Sequence, residues 1–232
     1  MALVQYGGGI LDARGSIGGQ VHSKNRFGNY IRARTTPVNP QSARQNAIRA
    51  IIAYLATQWS GTLTQANRDA WEVYADAITR TNKLGAQIKL TGFNHYVRSN
   101  APILQAALTE VLAGPTTLTL PPADPTFACT VDEAGQEISV VYDDTADWNT
   151  QDGGALIVSM SIPKATGTNF VGGPFRFADS IDGVDPGGVA SPQVMAVPFP
   201  VAEGQVVVCS ARIVELDGRL SDPFRSQSNV TA

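Results

Sequence analysis

Charge is scarce in this chain, and reactive groups are scarcer. Charged residues make up 16% of the 232 positions, below the quarter that globular domains usually carry. There are two histidines, His22 and His95, and two cysteines, Cys129 and Cys209. Each histidine lacks a companion ligand at metal spacing, so a satisfied or solvent-facing ring is the expected state of both. The cysteines read as small buried hydrophobes rather than a bridge. No serine lies in a Gly-x-Ser-x-Gly elbow and neither cysteine has a histidine beside it, so nothing requests a nucleophilic triad. The glycines at 7–9 and 15–19 lead into strand-like residues instead of a helix, and no Gly-Lys-Ser/Thr occurs, which removes a phosphate loop. No apolar run approaches the roughly 18 residues of a membrane span. The opening residues have neither the basic nor the apolar segment of a secretory signal. These absences lead us to expect no catalytic residues, no cofactor, no metal, no membrane association, and synthesis in the cytoplasm.

What is present is uneven. Glycine (22) and proline (14) are generous, which suits turn-rich β structure and extended arms. The net charge of −3 conceals a division: residues 1–110 balance at +7 and residues 111–232 at −10. An asymmetry of that size argues for different partners for the two halves.

Residues 1–36 hold seven glycines. Between them 20–24 and 29–34 alternate with a period of two around the turn chemistry of Asn25-Arg26-Phe27-Gly28, which predicts a β-hairpin. A lone hairpin is marginal in water and needs a surface to lie on. Asn39-Pro40 reads as a helix start. Ile48, Ile51, Ile52, Leu55 and Trp59 then recur at helical spacing until Ser60-Gly61. Thr64 caps a second helix with the stripe Ala70, Trp71, Tyr74, Ala75 and Ile78, giving an αα-hairpin. After a loop at 82–92, a third helical stretch covers 93–111 with a break at Pro102. Residues 114–125 form a proline-rich linker. Beyond it come seven strands, at 126–131, 137–142, 155–162, 174–181, 193–197, 205–214 and 220–225. The pattern predicts a seven-stranded antiparallel β-sandwich, with Val207, Cys209, Ala211 and Ile213 as one inward face.

The expected organisation is therefore α+β and multidomain: a glycine-rich basic arm (1–36), a helical docking domain (37–113), the linker (114–125) and an immunoglobulin- or fibronectin-like sandwich (126–232). The acidic loop 143–154 has carboxylates, but its spacing fails the calcium pattern: position 151 is Gln and no Glu stands at the twelfth place. Asp179, Asp182 and Asp185 are a second weak candidate, and a solvated strand connection is the default for both. The partner-binding candidates are Arg14, Lys24, Arg26, Arg32, Arg34, Arg44 and Arg49, with Phe27 and Tyr30 as stacking faces. Such a set can grip nucleic acid, but a modest +7 over 110 residues suits an acidic protein surface better.

The first half resembles a type of structural protein of tailed-phage and prophage virions. The residues that carry the resemblance are Gly15-x-x-Gly18-Gly19-x-Val21-x-Ser23-x-Asn25 and Gly28-x-Tyr30-x-Arg32-x-Arg34. Pro37-x-Asn39-Pro40-x-Ser42-x-x-Gln45-x-x-x-Arg49 follows, then Trp59, Leu63-Thr64-Gln65-Ala66-Asn67-Arg68-Asp69-Ala70-Trp71 and Gly92-x-x-x-Tyr96-x-x-x-Asn100. The ordered set spans about residues 7–104. The second half looks like a fibronectin type III or immunoglobulin-like module, ending in the turn at Val214-Glu215-Leu216-Asp217-Gly218-Arg219-Leu220-Ser221. The resemblance implies assembly into a virion, in repeated copies, against other virion proteins. It leaves several positions open: capsid decoration, head–tail or tail structure, a DNA-facing head protein, and a host-binding adhesin using Trp148, Phe170 and Phe175. It implies no catalytic residues.

Overall fold

The chain reverses at 25–28 as its turn residues dictate, in a computed structural model that describes residues 2–5, 7–10, 12–35, 38–82 and 84–232. The expected boundary at Thr36 and Pro37 falls outside the described residues. The hairpin is β3 (Gln20–Asn25) with β4 (Gly28–Ala33), but it is not alone. β1 (Ala2–Val4) pairs with β4 and β2 (Gly15–Ile17) pairs with β3, giving a four-stranded antiparallel sheet in the order β1-β4-β3-β2. The two added strands are three residues each, too short to announce themselves by alternation. Gly18 and Gly28 take φ of 57° and 119° at the two tight reversals, where a side chain would be strained.

α1 (Ala43–Thr57) starts later than Asn39-Pro40 suggests. Ser42 is its cap, accepting a hydrogen bond from the Gln45 N–H at 3.4 Å. Gln41 sits at φ 47°, which no helix accommodates, and Asn39 Oδ1 accepts from the Gln41 N–H and from Arg49 Nη2. The helix does not stop at Ser60-Gly61 but widens into a π turn, Gln58–Thr62, closed by Leu63 N–H to Gln58 O at 2.9 Å. Thr64 caps α2 (Gln65–Ala77) as its position predicts, bonding the Asn67 N–H. The expected loop at 82–92 contains part of a small hairpin, β5 (Thr79–Thr81) with β6 (Gln87–Lys89).

α3 (Gly92–Gln105) is capped by Thr91 and carries Pro102 inside it rather than breaking there. It ends where Ala107 turns to φ 60°. The N–H of Leu108 returns to Ile103 O and that of Ala107 to Leu104 O, a paired closure that satisfies the last carbonyls. α3 packs against both α1 and α2, so the three helices share one core instead of the first two closing as a pair. Trp71, Tyr74, Tyr96, Leu55, Leu63 and Ile78 form it, with Trp71 edge-on to both Tyr74 and Tyr96.

Residues 114–125 carry no helix or strand, but they are seated rather than free. Pro115 and Pro121 are buried. Trp71 Nε1 donates to Leu112 O at 3.1 Å. Gly114 lies so close to α2 that a Cβ there would come within 2.6 Å of Ala70 C and Trp71 N.

The second half holds seven strands, as expected: β7 (Ala128–Asp132), β8 (Glu137–Val141), β9 (Ala155–Ser161), β10 (Phe175–Asp182), β11 (Gln193–Ala196), β12 (Val206–Val214) and β13 (Phe224–Thr231). Their order is β10-β9-β12-β13-β7-β8-β11. The sheet is mixed, not purely antiparallel. β13 comes later than the expected 220–225, and its last residues leave β12 to pair parallel with β7 through Val230↔Val131 and Thr231↔Asp132. The edge strands β10 and β11 come back near each other, so the sheet is almost closed around its core. Val207, Cys209, Ala211 and Ile213 face inward as predicted, among Ile138, Val158, Met160 and Trp148. Both cysteines are free, buried thiols. The Cys209 thiol is pushed up by its contact with Cys129 and by burial.

Candidate docking surfaces

A sheet normally hides one face. Here no described residue from Ala2 to Tyr54 is buried, and Leu55 is the first that is. Register assigns the two faces of the N-terminal sheet. Leu3, Tyr30 and Ser23 line up on one face with Val21 and Arg32. Val4, Asn29 and Lys24 lie on the other, with His22, Ile31 and Ile17. Both faces therefore mix apolar and basic groups, and Ile17 is 75% exposed.

The nine candidate residues are not brought into one patch. Tyr30 and Arg32 share a face, and Lys24 is on its reverse. Arg26 and Phe27 form the turn between β3 and β4, where Asn25 Oδ1 accepts the Phe27 N–H. Arg14 pairs with Asp12 at 3.3 Å. Arg34 lies beyond β4 and gives its backbone N–H to Gly19 O. Arg44 and Arg49 are on α1, with Arg49 bonded to Asn39. The Arg44 guanidinium is held below the ordinary arginine value by partial burial and then by Arg176. α1 itself is a second open surface. Ile51, Leu55 and Trp59 of the expected apolar stripe pack into the helical core, but Ile52 and the neighbouring Tyr54 are each 44% exposed and Ile48 is only half-buried, so part of the stripe lacks a cover.

Sequence reasoning missed the junction between the helices and the seven-stranded sheet. Ile103 meets Ala155, Ile157, Val214 and Leu220 there. Arg98 donates to Leu220 O and Ser221 O at 3.0 and 3.1 Å, and it shares Asp222 with Arg80. Burial, then the neighbouring Arg80 and Arg212, hold Arg98 down to about 10. No local motif joins Arg98 to Leu220 and Ser221, because they lie about 120 positions apart in the chain. His95 is fully buried beside them, 5.3 Å from the Tyr74 ring. The expectation that it would be satisfied or solvent-facing is corrected: neither ring nitrogen has a hydrogen-bond partner, and burial holds its pKa down to about 4.

The loop 143–154 is organised by Asn149, whose amide donates to Asp144 O and Val189 O and accepts the Val189 N–H. Asp143 accepts from the Thr145 N–H and hydroxyl, and Asp182 accepts from the Ser180 hydroxyl. Asp152 accepts the Asp185 N–H. Among the described residues no three metal-ligating side chains gather at one point. Trp148 is 1% exposed and cannot meet a partner, whereas Phe170 is 82% exposed. No helix is long and apolar enough to cross a membrane among the described residues.

Comparison with known proteins adds little to this geometry. No protein-family description matches the chain, and no curated protein does. The crystal structure of a Fn3-like protein from Clostridium thermocellum is similar over 48% of this chain and 95% of its own, at 15% identity and a TM-score of 0.30. A likeness that loose carries no argument.

Proposed function

We propose that this chain is a structural protein of a phage virion, docked through its N-terminal sheet and α1 and displaying its C-terminal half. The observation that carries this reading is a four-stranded sheet with no buried residue followed by a helix with only Leu55 buried. Such a sheet cannot be stabilised by its own core, and it gains most by lying against another subunit through its faces or its short edge strands. The resemblance of residues 7–104 to tailed-phage structural proteins supplies the identity of that neighbour: other virion proteins. The mixed seven-stranded sheet is read as an immunoglobulin- or fibronectin-type module, by strand number and inward pattern.

Capsid decoration or cement suits a docking half joined to a displayed half better than a neck or tail position does. A repeated lattice offers the same neighbour surface to every copy. A DNA-facing role is the weaker alternative, since the basic residues are spread over both faces of the sheet and α1 rather than along one stripe. The test is deletion of residues 1–36 and measurement of incorporation into particles. Incorporation is expected to be lost while the C-terminal half stays folded. Normal incorporation of the shortened chain overturns the reading.

A further inference from the structure

A cleft of about 260 Å³ opens where the end of α3 overhangs the outer face of the seven-stranded sheet. Register fixes its floor. Phe177, Ser159, Ser210 and Arg225 lie in one row across β10, β9, β12 and β13, and Ile157 and Arg212 lie in the next. These side chains point outward because the alternating residues Val158, Met160, Cys209 and Ala211 fill the core. The Arg225 guanidinium lies over the Phe175 ring at 4.7 Å, and Pro102 and Pro223 complete the walls.

The electrostatics of this cleft run against its surroundings. Residues 111–232 hold fifteen acids and five bases, yet no residue lining the cleft is acidic and two are arginines. Behind it, Arg80 and Arg98 share the carboxylate of Asp222, whose field also reaches Arg212. Three guanidinium groups thus answer to one carboxylate, and the buried Nη1 of Arg80 has no acceptor.

We propose that the cleft docks an acidic peptide segment of a partner protein, with a carboxylate between Arg212 and Arg225 and a neighbouring apolar side chain against Phe175, Phe177 and Ile157. Guanidinium groups hold a carboxylate in two-point geometry, and aromatic and aliphatic walls beside them recognise what flanks it. Burial is the main cause holding Arg212 below the ordinary arginine value, so an anion at its side offsets a desolvation cost already present. A free oxyanion would use the arginines alone and ignore the rings. This surface is separate from the N-terminal sheet, and the proposal stands without the docking role of that sheet.

The test uses the full chain, ¹⁵N-labelled, titrated with three probes: acetyl-Leu-Glu-Phe-amide, its Gln counterpart, and inorganic phosphate. The Glu peptide is expected to shift the amides of Ser159, Ser210 and Arg225 saturably. The Gln peptide should bind about tenfold more weakly, the value of one charge-assisted contact. Arg225→Gln and Phe175→Ala should each weaken the Glu peptide by a similar factor, with the rest of the spectrum unchanged as the check on folding. Equal binding of the Glu and Gln peptides overturns the proposal. So does phosphate shifting the same amides as strongly as the peptide, and so does the absence of any shift.

Discussion

The two large sheets of this chain use the same backbone chemistry and reach opposite outcomes. Both are built of short strands, largely antiparallel, reversed at glycine-bearing turns. The seven-stranded sheet encloses eighteen buried side chains, while the four-stranded sheet encloses none among its described residues. Ladder hydrogen bonds exchange water for backbone at a net gain of only about 1 kcal/mol each. Burial at roughly 25 cal/mol per Å² is what makes a sheet independent. Strand pairing alone does not distinguish a domain from an arm. What covers the faces does.

The widest gap in stability between the two sheets should follow from one substitution in each. Ile138 is 0% exposed in the closed core and Ile17 is 75% exposed on the N-terminal sheet. Ile138→Ala is expected to cost about 2–5 kcal/mol through lost contacts and a residual cavity. Ile17→Ala is expected to change stability by less than about 0.5 kcal/mol. Urea denaturation of both variants measures this. An Ile17→Ala cost comparable to that of Ile138→Ala would mean that the N-terminal sheet has a core of its own.

A second, smaller effect tests the junction that ties the helices to the closed sheet. His95 is buried between Tyr74 and the Arg98 and Arg80 guanidinium groups, which holds it at about 4 instead of 6.5. Above pH 6.5 the imidazole is neutral whether the chain is folded or not. As pH falls from 6.5 toward 4 the unfolded chain takes up a proton that the folded chain refuses, so stability falls through that window and the slope ends below it. The loss between pH 7 and pH 5 is on the order of 2 kcal/mol. His95→Gln should remove it, so wild type and variant are compared at both pH values to cancel carboxylates that titrate in parallel. If the two lose stability equally, His95 is not buried in the neutral form in solution.

Much of this layout was legible in the residues, and the exceptions have physical reasons. Alternation around 25–28 showed the β3–β4 hairpin, and inward alternation at 207–213 showed the face of β12, because a two-residue period needs only local sequence. The Thr64 cap was legible for the same reason. β1 and β2 were not, since three residues cannot display a period. The cap at Ser42 displaced Asn39 because Gln41 adopts a left-handed φ that breaks the path between them. Pro102 was tolerated inside α3, where a break was expected. Of the candidate site, the individual basic residues were legible, but not their separation onto two sheet faces and a helix. The arginine junction and the cleft beside it depend on contacts between residues more than a hundred positions apart, which no local pattern encodes.

A last and minor shift in stability lies at the end of α3. The nearly closed sheet mostly places glycine where its turns go left-handed, as at Gly153, Gly204 and Gly218, with Gln136 at φ 51° the exception. α3 instead closes with an exposed alanine, Ala107, at φ 60°. A left-handed residue with a Cβ costs roughly 1–2 kcal/mol. Glycine escapes that strain but gives up roughly 0.5–1 kcal/mol to the greater freedom of the unfolded chain. The exposed methyl contributes no packing to offset the balance, so Ala107→Gly should raise stability by about 0.5 kcal/mol. In urea the midpoint should move upward with the slope unchanged. A lower midpoint would mean that the Leu108-to-Ile103 closure does not hold in solution, and that α3 is released into the junction by some other route.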